Sequence, residues 1–231
     1  MRKIIMLLGI MLLCSAFVLA AFTSVEYLGT SGDYKVTYQQ TIKKGWNLLP
    51  ADLGAWSITS DTPEAEVLQK VKAYYVYFPI HNKYANALSG FNDQESQQLQ
   101  SNQQYLQSSA GWYYVIEDIV LSYIAEDGGG MPELYKGWNL LTIGPSLSIL
   151  NDDVAVINKF PTGDCEIENF YMWDSFEQQW SSFTQSQNLQ DALDELGDDD
   201  AIGVGIAIKV KDSCQLGTGP GTMTAPPSLP N

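Results

Sequence analysis

Bulky hydrophobic and polar residues alternate along much of the chain after its apolar N-terminal run, and this alternation has the period of a β-strand. Two polar segments, His81-Asn82-Lys83 and Glu177-Gln178-Gln179, each separate a pair of alternating segments, which predicts two β-hairpins. The predicted strands cover residues 33–38, 74–78, a return strand at Tyr84, 111–116, 167–173, 180–183 and 202–210.

Helical spacing of apolar residues predicts short helices over residues 61–70, 93–107, 151–159 and 188–196. Thr62 is suited to cap the first of these, and Pro63 to its first helical position. The acidic segment Asn151-Asp152-Asp153 is suited to the start of the third helix, because negative charge is favourable at a helix N-terminus.

The same order of elements occurs twice, and the second occurrence repeats specific residues. Lys44-Gly45-Trp46-Asn47-Leu48-Leu49 returns 92 positions later as Lys136-Gly137-Trp138-Asn139-Leu140-Leu141. Tyr77 and Tyr84 are seven residues apart, as are Trp173 and Trp180, and 111–118 aligns with 205–212. The sequence therefore predicts two tandem modules, in each of which Trp46 or Trp138 is expected in the core.

These patterns predict an α+β, β-rich fold with two small modules. Each module is expected to be a mainly antiparallel sheet or a partly open barrel with one or two short helices. The predicted divisions are a signal peptide at 1–20, a leading segment with the first strand at 21–40, module 1 at 41–125, a Gly-rich linker at 126–132, module 2 at 133–216 and a disordered tail at 217–231.

The N-terminus predicts export. Arg2 and Lys3 precede an apolar run that extends to Ala20, and Ala20 and Ala21 offer small side chains for cleavage, as in a secretory signal peptide. The alternative is an uncleaved anchor, since the run reaches the lower limit of about 17 residues for a spanning helix. Either way the rest of the chain is expected to be secreted or displayed on the cell surface, with membrane contact only through an uncleaved N-terminus.

Charge and cysteine content agree with that interpretation. Without Arg2 and Lys3 the chain has 10 basic and 27 acidic residues, a net charge of −17, which disfavours nucleic acid as a partner. Two cysteines remain, Cys165 and Cys214, one before and one after strand-like segments of the second module. An oxidising compartment makes a disulfide between them the expected state.

The repeated segments resemble a family of small modules found in tandem in secreted and cell-surface proteins of bacteria and archaea. The features that carry the resemblance are Gly-Trp-Asn-Leu-Leu at 45–49 and 137–141, the aromatic strand Tyr171-Met172-Trp173-Asp174, and closing strands that begin at Gly111 and Gly205. The resemblance implies an extracellular β-rich module of surface architecture, without catalytic residues to transfer. Ile206-Ala207-Ile208 departs from the aromatic closing segment of the family, as does the Gln-rich insertion in the first copy.

The sequence offers few residues for catalysis, and we predict neither an enzyme nor a cofactor. His81 is the only histidine, so a Ser-His-Asp triad or a histidine-rich zinc site would depend on one residue in a predicted turn. The acidic clusters at 151–153 and 194–200 lack the alternating order of a helix-loop-helix calcium site. The second cluster is the better metal candidate, because negative charge there lies at a helix end that disfavours it.

Five aromatic residues on the predicted hairpins form the candidate ligand-binding set: Tyr75, Tyr77, Tyr84, Trp173 and Trp180. Core packing is the favoured interpretation, and a sugar-stacking or partner-binding surface is the alternative. The sequence thus favours a non-enzymatic structural and interaction protein that binds other surface proteins or polysaccharide. A carbohydrate-binding module is the alternative, and a hydrolase with two carboxylates comes third.

Overall fold

The computed structural model describes residues 21–27, 34–51, 57–58, 69–101, 109–126, 132–143, 149–151, 154–156, 160, 162–183 and 203–217. The strands are β1 (Ala21–Tyr27), β2 (Tyr34–Ile42), β3 (Gly45–Pro50), β4 (Ser57–Ile58), β5 (Val71–Phe78), β6 (Lys83–Asn86), β7 (Ala110–Val115), β8 (Ile119–Glu126), β9 (Glu133–Leu134), β10 (Gly137–Thr142), β11 (Ile149–Asn151), β12 (Val154–Val156), β13 (Ile167–Asp174), β14 (Gln179–Phe183), β15 (Gly205–Val210) and β16 (Cys214–Gln215). The α-helix α1 spans Asp93–Ser101, and two 3₁₀ turns span Pro79–His81 and Ala87–Ser89.

Antiparallel sheets dominate the described residues, which confirms the predicted β-rich fold class. One four-stranded sheet has the order β3-β7-β5-β6, and another has the order β10-β15-β13-β14. Neither sheet is closed into a barrel, so the open-sheet form of the prediction is the one observed. The predicted signal peptide lies outside the described residues, as does the tail after Gly217.

The two sheets share their strand order and their irregularities. A register shift interrupts the β5–β7 pairing between Val71 and Ala73, and another interrupts the β13–β15 pairing between Ile167 and Asn169. Each shift lies at the same place in its sheet, beside the last residue of the closing strand. Tyr77 pairs with Tyr84 in one hairpin, and Trp173 pairs with Trp180 in the other, as the shared spacing predicts.

The pairing corrects the predicted alignment of the closing strands by one residue. Leu48 lies opposite Trp112, and the equivalent Leu140 lies opposite Ala207. Trp112 therefore corresponds to Ala207, whereas aligning Gly111 with Gly205 would have paired it with Ile206. Because successive strand residues point to opposite faces, the one-residue error in the predicted alignment places every later side chain on the wrong face.

The repeated Gly-Trp-Asn-Leu-Leu segments begin with a tight entry into the strand. Gly45 and Gly137 have φ angles of +112° and +94°, a region that L side chains rarely adopt. Asn139 is fully buried, and its Nδ2 donates to the carbonyl oxygens of Tyr135 (2.7 Å) and Gly137 (3.1 Å). Asn47 makes the same pair of bonds in the first sheet. The glycine and the asparagine of the motif thus fix the backbone conformation at the start of an edge strand.

A third sheet, with the order β1-β2-β8-β4, joins the leading segment to the end of module 1. The predicted strand at 33–38 is observed as β2, whereas β8 was not predicted. β2 pairs with β8 over eight residues, from Lys35 opposite Glu126 to Ile42 opposite Ile119. Glu126, the first residue of the predicted linker, is the last residue of β8. The predicted module boundaries stay a prediction.

Of the predicted helices, the Gln-rich one is observed as α1. Asn92 Oδ1 accepts from the Glu95 N–H, and Glu95 Oε2 accepts from the Asn92 N–H, so a reciprocal capping box begins it. The helix predicted at 151–159 is wrong, because β11 and β12 form an antiparallel hairpin there. The β-branched Val154 and Val156 favour strand, and Asn151 is the last residue of β11. The helix predicted at 188–196 and most of that at 61–70 lie outside the described residues.

Each sheet has its own core on one face, and a third cluster lies between the sheets. The core of the second sheet is built around Leu141, Met172 and Ile206, and that of the first around Val76, Phe78 and Ala85. The sulfur atoms of Cys165 and Cys214 lie at disulfide distance beside the second core, with Cα atoms 5.2 Å apart. The cluster between the sheets contains Leu48, Tyr77, Ala110, Leu140 and Ala207.

Candidate functional site

Two grooves open at the boundary between the two sheets, and aromatic side chains line both. The first, the Trp46 groove, has a volume of about 450 Å³. The second, the Trp138 groove, has a volume of about 410 Å³. The lining of the Trp46 groove is Trp46, Tyr75, Tyr84, Trp112, Trp173 and Trp180. The lining of the Trp138 groove is Tyr77, Asn82, Tyr84, Trp138, Leu140, Tyr171, Trp180 and Ala207.

The two grooves are built from equivalent strand positions. Tyr75 lies opposite Trp112 across β5 and β7, and the equivalent Tyr171 lies opposite Ala207 across β13 and β15. Tyr84 and Trp180 occupy equivalent places in β6 and β14, and each lines both grooves. The molecule therefore presents two versions of one groove, in which Ala207 stands where the other has Trp112.

All five predicted ligand-binding residues line these grooves, but they differ in exposure. Tyr84 is 51% exposed and Trp180 is 39% exposed, whereas Tyr77 is only 6% exposed. Tyr75 and Trp173 are half-buried. Core packing therefore describes Tyr77, and a surface role is open to Tyr84 and Trp180, which lie between the two grooves.

Trp46 and Trp138 were both predicted to belong to the core. The prediction is wrong for Trp46, which is 37% exposed. Trp138 is half-buried. Both tryptophans lie on edge strands, with only one neighbouring strand to cover them. Trp46 contacts Tyr114 with ring centroids 5.2 Å apart, and Trp112 at 6.3 Å. The repeated tryptophans, Trp46 and Trp138, therefore line the walls of the grooves. The core of each sheet is built mainly from aliphatic side chains.

Edge-to-face contacts hold the aromatic walls of the Trp46 groove. Trp112 meets Trp173 at 4.7 Å and Trp180 at 5.5 Å between ring centroids, both nearly perpendicular. Trp173 and Trp180 are themselves tilted by 75°. Such contacts contribute about 0.5–1.5 kcal/mol each beyond the area buried. The rings therefore pack against one another at steep angles and do not form a coplanar row.

Gln178, in the turn of the second hairpin, bonds to the backbone of β3 with its side-chain amide. The Trp46 N–H donates to Gln178 Oε1 at 2.7 Å, and Gln178 Nε2 donates to the Trp46 carbonyl oxygen at 2.9 Å. Trp173 Nε1 donates to the same carbonyl oxygen at 3.0 Å. These bonds satisfy both backbone groups of Trp46 that point away from β7.

Asn82 occupies the equivalent turn position in the first hairpin, and it bonds differently. Both residues have left-handed backbone, with φ of 49° for Asn82 and 54° for Gln178. Asn82 Oδ1 accepts from the Tyr77 hydroxyl at 2.8 Å. Burial, followed by the influence of Tyr84, raises the pKa of Tyr77 above its ordinary value, so this hydroxyl stays protonated and remains a donor.

The groove linings carry aromatic, aliphatic and amide groups, and their ionisable members are tyrosines. Among the described residues, one cluster has metal-ligand composition, namely Asp164, Cys165 and Cys214 with ligand atoms within 4.8 Å of one another. Its two sulfurs lie at disulfide distance, so it offers no free thiolate pair. The acidic clusters weighed for calcium fall mainly outside the described residues, at 152–153 and 194–200.

Sequence reasoning found five of the lining residues and missed Trp112, Tyr171 and Asn82. It also missed Gln178, which lines neither groove but bonds to the Trp46 backbone. Trp112 and Tyr171 could have been found, because each follows from pairing the closing strand of a module with its aromatic strand. Gln178 and Asn82 gave no signal, since a polar residue in a turn is ordinary. Their role depends on contacts between segments far apart in sequence.

The part of the chain that the structure describes contains no helix with the length and apolarity needed to cross a membrane. Comparison of the chain with protein-family models, with curated proteins and with solved structures found no match.

Proposed function

We propose that this chain is an exported, non-enzymatic structural and interaction protein of a cell surface or extracellular layer, built from two repeat modules. The observation that carries the proposal is the pair of equivalent aromatic grooves with exposed Tyr84 and Trp180 between them. Aromatic side chains that stay partly exposed on a rigid sheet are typical of sites that bind protein or glycan partners.

Two further observations support the proposal. The shared strand order, shared register shifts and shared Gly-Asn entry devices support a duplication of one module. Cysteine sulfurs at disulfide distance support an oxidising compartment, as the predicted signal peptide requires. The resemblance to tandem modules of prokaryotic surface proteins agrees with both.

Carbohydrate binding is the second candidate, and the exposure of Tyr84 and Trp180 favours it. Sugar rings stack on exposed aromatic faces, and the hydroxyls of tyrosines in the same linings could bond to sugar hydroxyls. The perpendicular packing of the tryptophans weighs against a flat platform for a polysaccharide chain. A hydrolase, the third interpretation, would require two carboxylates across a cleft, and the groove linings carry none.

The test is binding of the purified mature chain to two sets of probes: a panel of soluble polysaccharides and a phage-displayed library of random nonapeptides. Tyr84→Ala and Trp180→Ala should each weaken any binding found by at least tenfold. Leu88→Ala is the matched control, because Leu88 is an exposed apolar side chain outside both grooves. A protein that binds neither set, or binds them equally well in all variants, would contradict the proposal.

A further inference from the structure

The two grooves differ at the backbone of their edge strands. β3 and β10 are both edge strands with matching registers, Trp46 opposite Tyr114 and Trp138 opposite Lys209. In an antiparallel pair the N–H and C=O of one residue point to the same side of the strand. Since those of Trp46 point away from the sheet to Gln178, those of Trp138 also point to the outer side of β10. On that side an isolated bridge pairs Leu141 with Ser109, so the edge is occupied three residues farther along the strand.

The outward backbone groups of Trp138 have no hydrogen-bond partner among the described residues, in contrast to those of Trp46. Asn82 occupies the place that corresponds to Gln178, but its side chain is one methylene shorter. Its oxygen is already the acceptor for the Tyr77 hydroxyl. At Trp46 the protein's own amide therefore satisfies the outward backbone groups, whereas at Trp138 no equivalent amide of the described residues does so.

We propose that the outer edge of β10 at Trp138 is the docking site for an extended peptide segment of a partner protein. This inference rests on the proposed binding role of the grooves and names the partner for one of them. The Gln178 side chain shows what the open site accepts, namely an N–H donor and a C=O acceptor side by side, next to an apolar aromatic wall.

A residue in an extended peptide meets that requirement, because its own N–H and C=O point to one side and pair with both groups of Trp138. The peptide then extends the sheet at Trp138, a common mode of peptide recognition, and it ends before Leu141, where Ser109 occupies the same side of β10. Its neighbouring side chains alternate in direction, so one of them enters the Trp138 groove beside Tyr171 and Trp180. A sugar acetamido group fits less well, since its N–H and C=O point in opposite directions.

The deciding variant is Asn82→Gln, which supplies the missing methylene and places a Gln178-like amide beside Trp138. Nonapeptides selected from the phage library on the wild-type chain should lose at least tenfold in affinity for this variant. Asn169→Gln is the matched control, because it makes the same chemical change at an exposed strand position outside the groove linings. It should leave peptide affinity unchanged.

Amide hydrogen exchange of the unliganded wild-type chain tests the same inference without the variant. The Trp138 N–H should exchange at least tenfold faster than the Trp46 N–H, and a selected peptide should slow it. Equal protection of the two amides without peptide would overturn the inference, even if Asn82→Gln failed to fold.

The outcomes separate this inference from the proposed function. Peptide binding that depends on Tyr84 and Trp180 but is unaffected by Asn82→Gln would leave the binding role intact and overturn docking at the edge of β10. Binding of polysaccharide without any selected peptide would do the same. Loss of all groove-dependent binding would overturn both.

Discussion

The side-chain amide of Gln178 forms two hydrogen bonds with the backbone of Trp46, a residue 132 positions earlier in the chain. The bonds join the second hairpin to the edge strand of the first sheet, so they satisfy the outward backbone groups of Trp46 and connect the two sheets. Trp173 adds a third bond to the same carbonyl oxygen. The relation between these residues is one difference between the grooves, and Ala207 in place of Trp112 is another.

Replacing Gln178 with alanine should destabilise the chain by about 1–2 kcal/mol, since each net hydrogen bond contributes about 0.5–1.5 kcal/mol. Urea unfolding monitored by tryptophan fluorescence measures the change. Gln179→Ala, at the next exposed position, is the control and should have little effect. Equal stability of the two variants would show that the Gln178 amide does not stabilise the contact between the two sheets.

Alanine at the two motif glycines should have unequal effects. Both have positive φ, so either substitution strains the backbone by about 1 kcal/mol or more. A Cβ at Gly137 would meet nothing within 4 Å, whereas one at Gly45 would overlap the Gln178 side chain. Gly45→Ala should therefore lower the free energy of unfolding more than Gly137→Ala.

The double variant Gly45→Ala with Gln178→Ala checks the reason for this difference. Removing the Gln178 side chain relieves the overlap, so the cost of Gly45→Ala in that background should fall to that of Gly137→Ala. A cost that stays the same in both backgrounds would contradict the assigned contact.

Asn139→Ala should lower the free energy of unfolding by about 2–4 kcal/mol, because it removes three hydrogen bonds made by a fully buried amide side chain. Its amide donates to the Tyr135 and Gly137 carbonyl oxygens, and its oxygen accepts from the Tyr135 N–H at 2.9 Å. Chemical denaturation measures the loss. Asn169→Ala, at an exposed position of β13, is the control and should change stability by less than about 0.5 kcal/mol.

Asp118 should make stability depend on pH in the acid range. The backbone N–H of Lys44, and then the Lys43 ammonium, holds the pKa of this carboxyl below its usual value of 3.8, against an opposing effect of burial. A lowered folded-state pKa stabilises the fold above the usual value, and the contribution is lost as pH falls through the folded-state pKa. The stability difference between wild type and Asp118→Asn should therefore shrink on acidification below about pH 4.

The second copy of the repeated sequence has an uncharged counterpart to this contact. The Lys136 N–H donates to Ser213 Oγ at 3.1 Å, in the place where the Lys44 N–H donates to Asp118. Ser213→Ala should change stability by an amount that is independent of pH over the same range. A pH dependence equal to that of Asp118→Asn would assign the effect to other carboxylates.

Much of each sheet could be predicted from the sequence, because alternation and turn chemistry act over a few residues. The paired hairpins with Tyr77 opposite Tyr84 and Trp173 opposite Trp180 are the clearest cases. The failures have physical reasons. The segment at 151–159 has acidic residues suited to a helix start. Its β-branched Val154 and Val156 instead belong to β12, where they pair with Asn151 and Ile149 of β11.

The candidate site was only half predictable. Its aromatic members stand out by residue type, but their exposure depends on which strand lies at the sheet edge, and this is a property of topology. Trp46 illustrates the limit, since a repeated tryptophan in a short module is ordinarily a core residue. The different roles of Asn82 and Gln178 depend on a single methylene and on contacts between the two sheets, which no local pattern encodes.

The most direct test of the binding role is acrylamide quenching of tryptophan emission from the mature chain, before and after addition of the polysaccharide and peptide probes. The account predicts a quencher-accessible population, because Trp46 and Trp180 are more than a third exposed, and its protection by a bound partner. Trp180→Phe should reduce the protected population. Emission that resists quenching throughout, and that no probe changes, would contradict the account and leave the aromatic residues with a purely structural role.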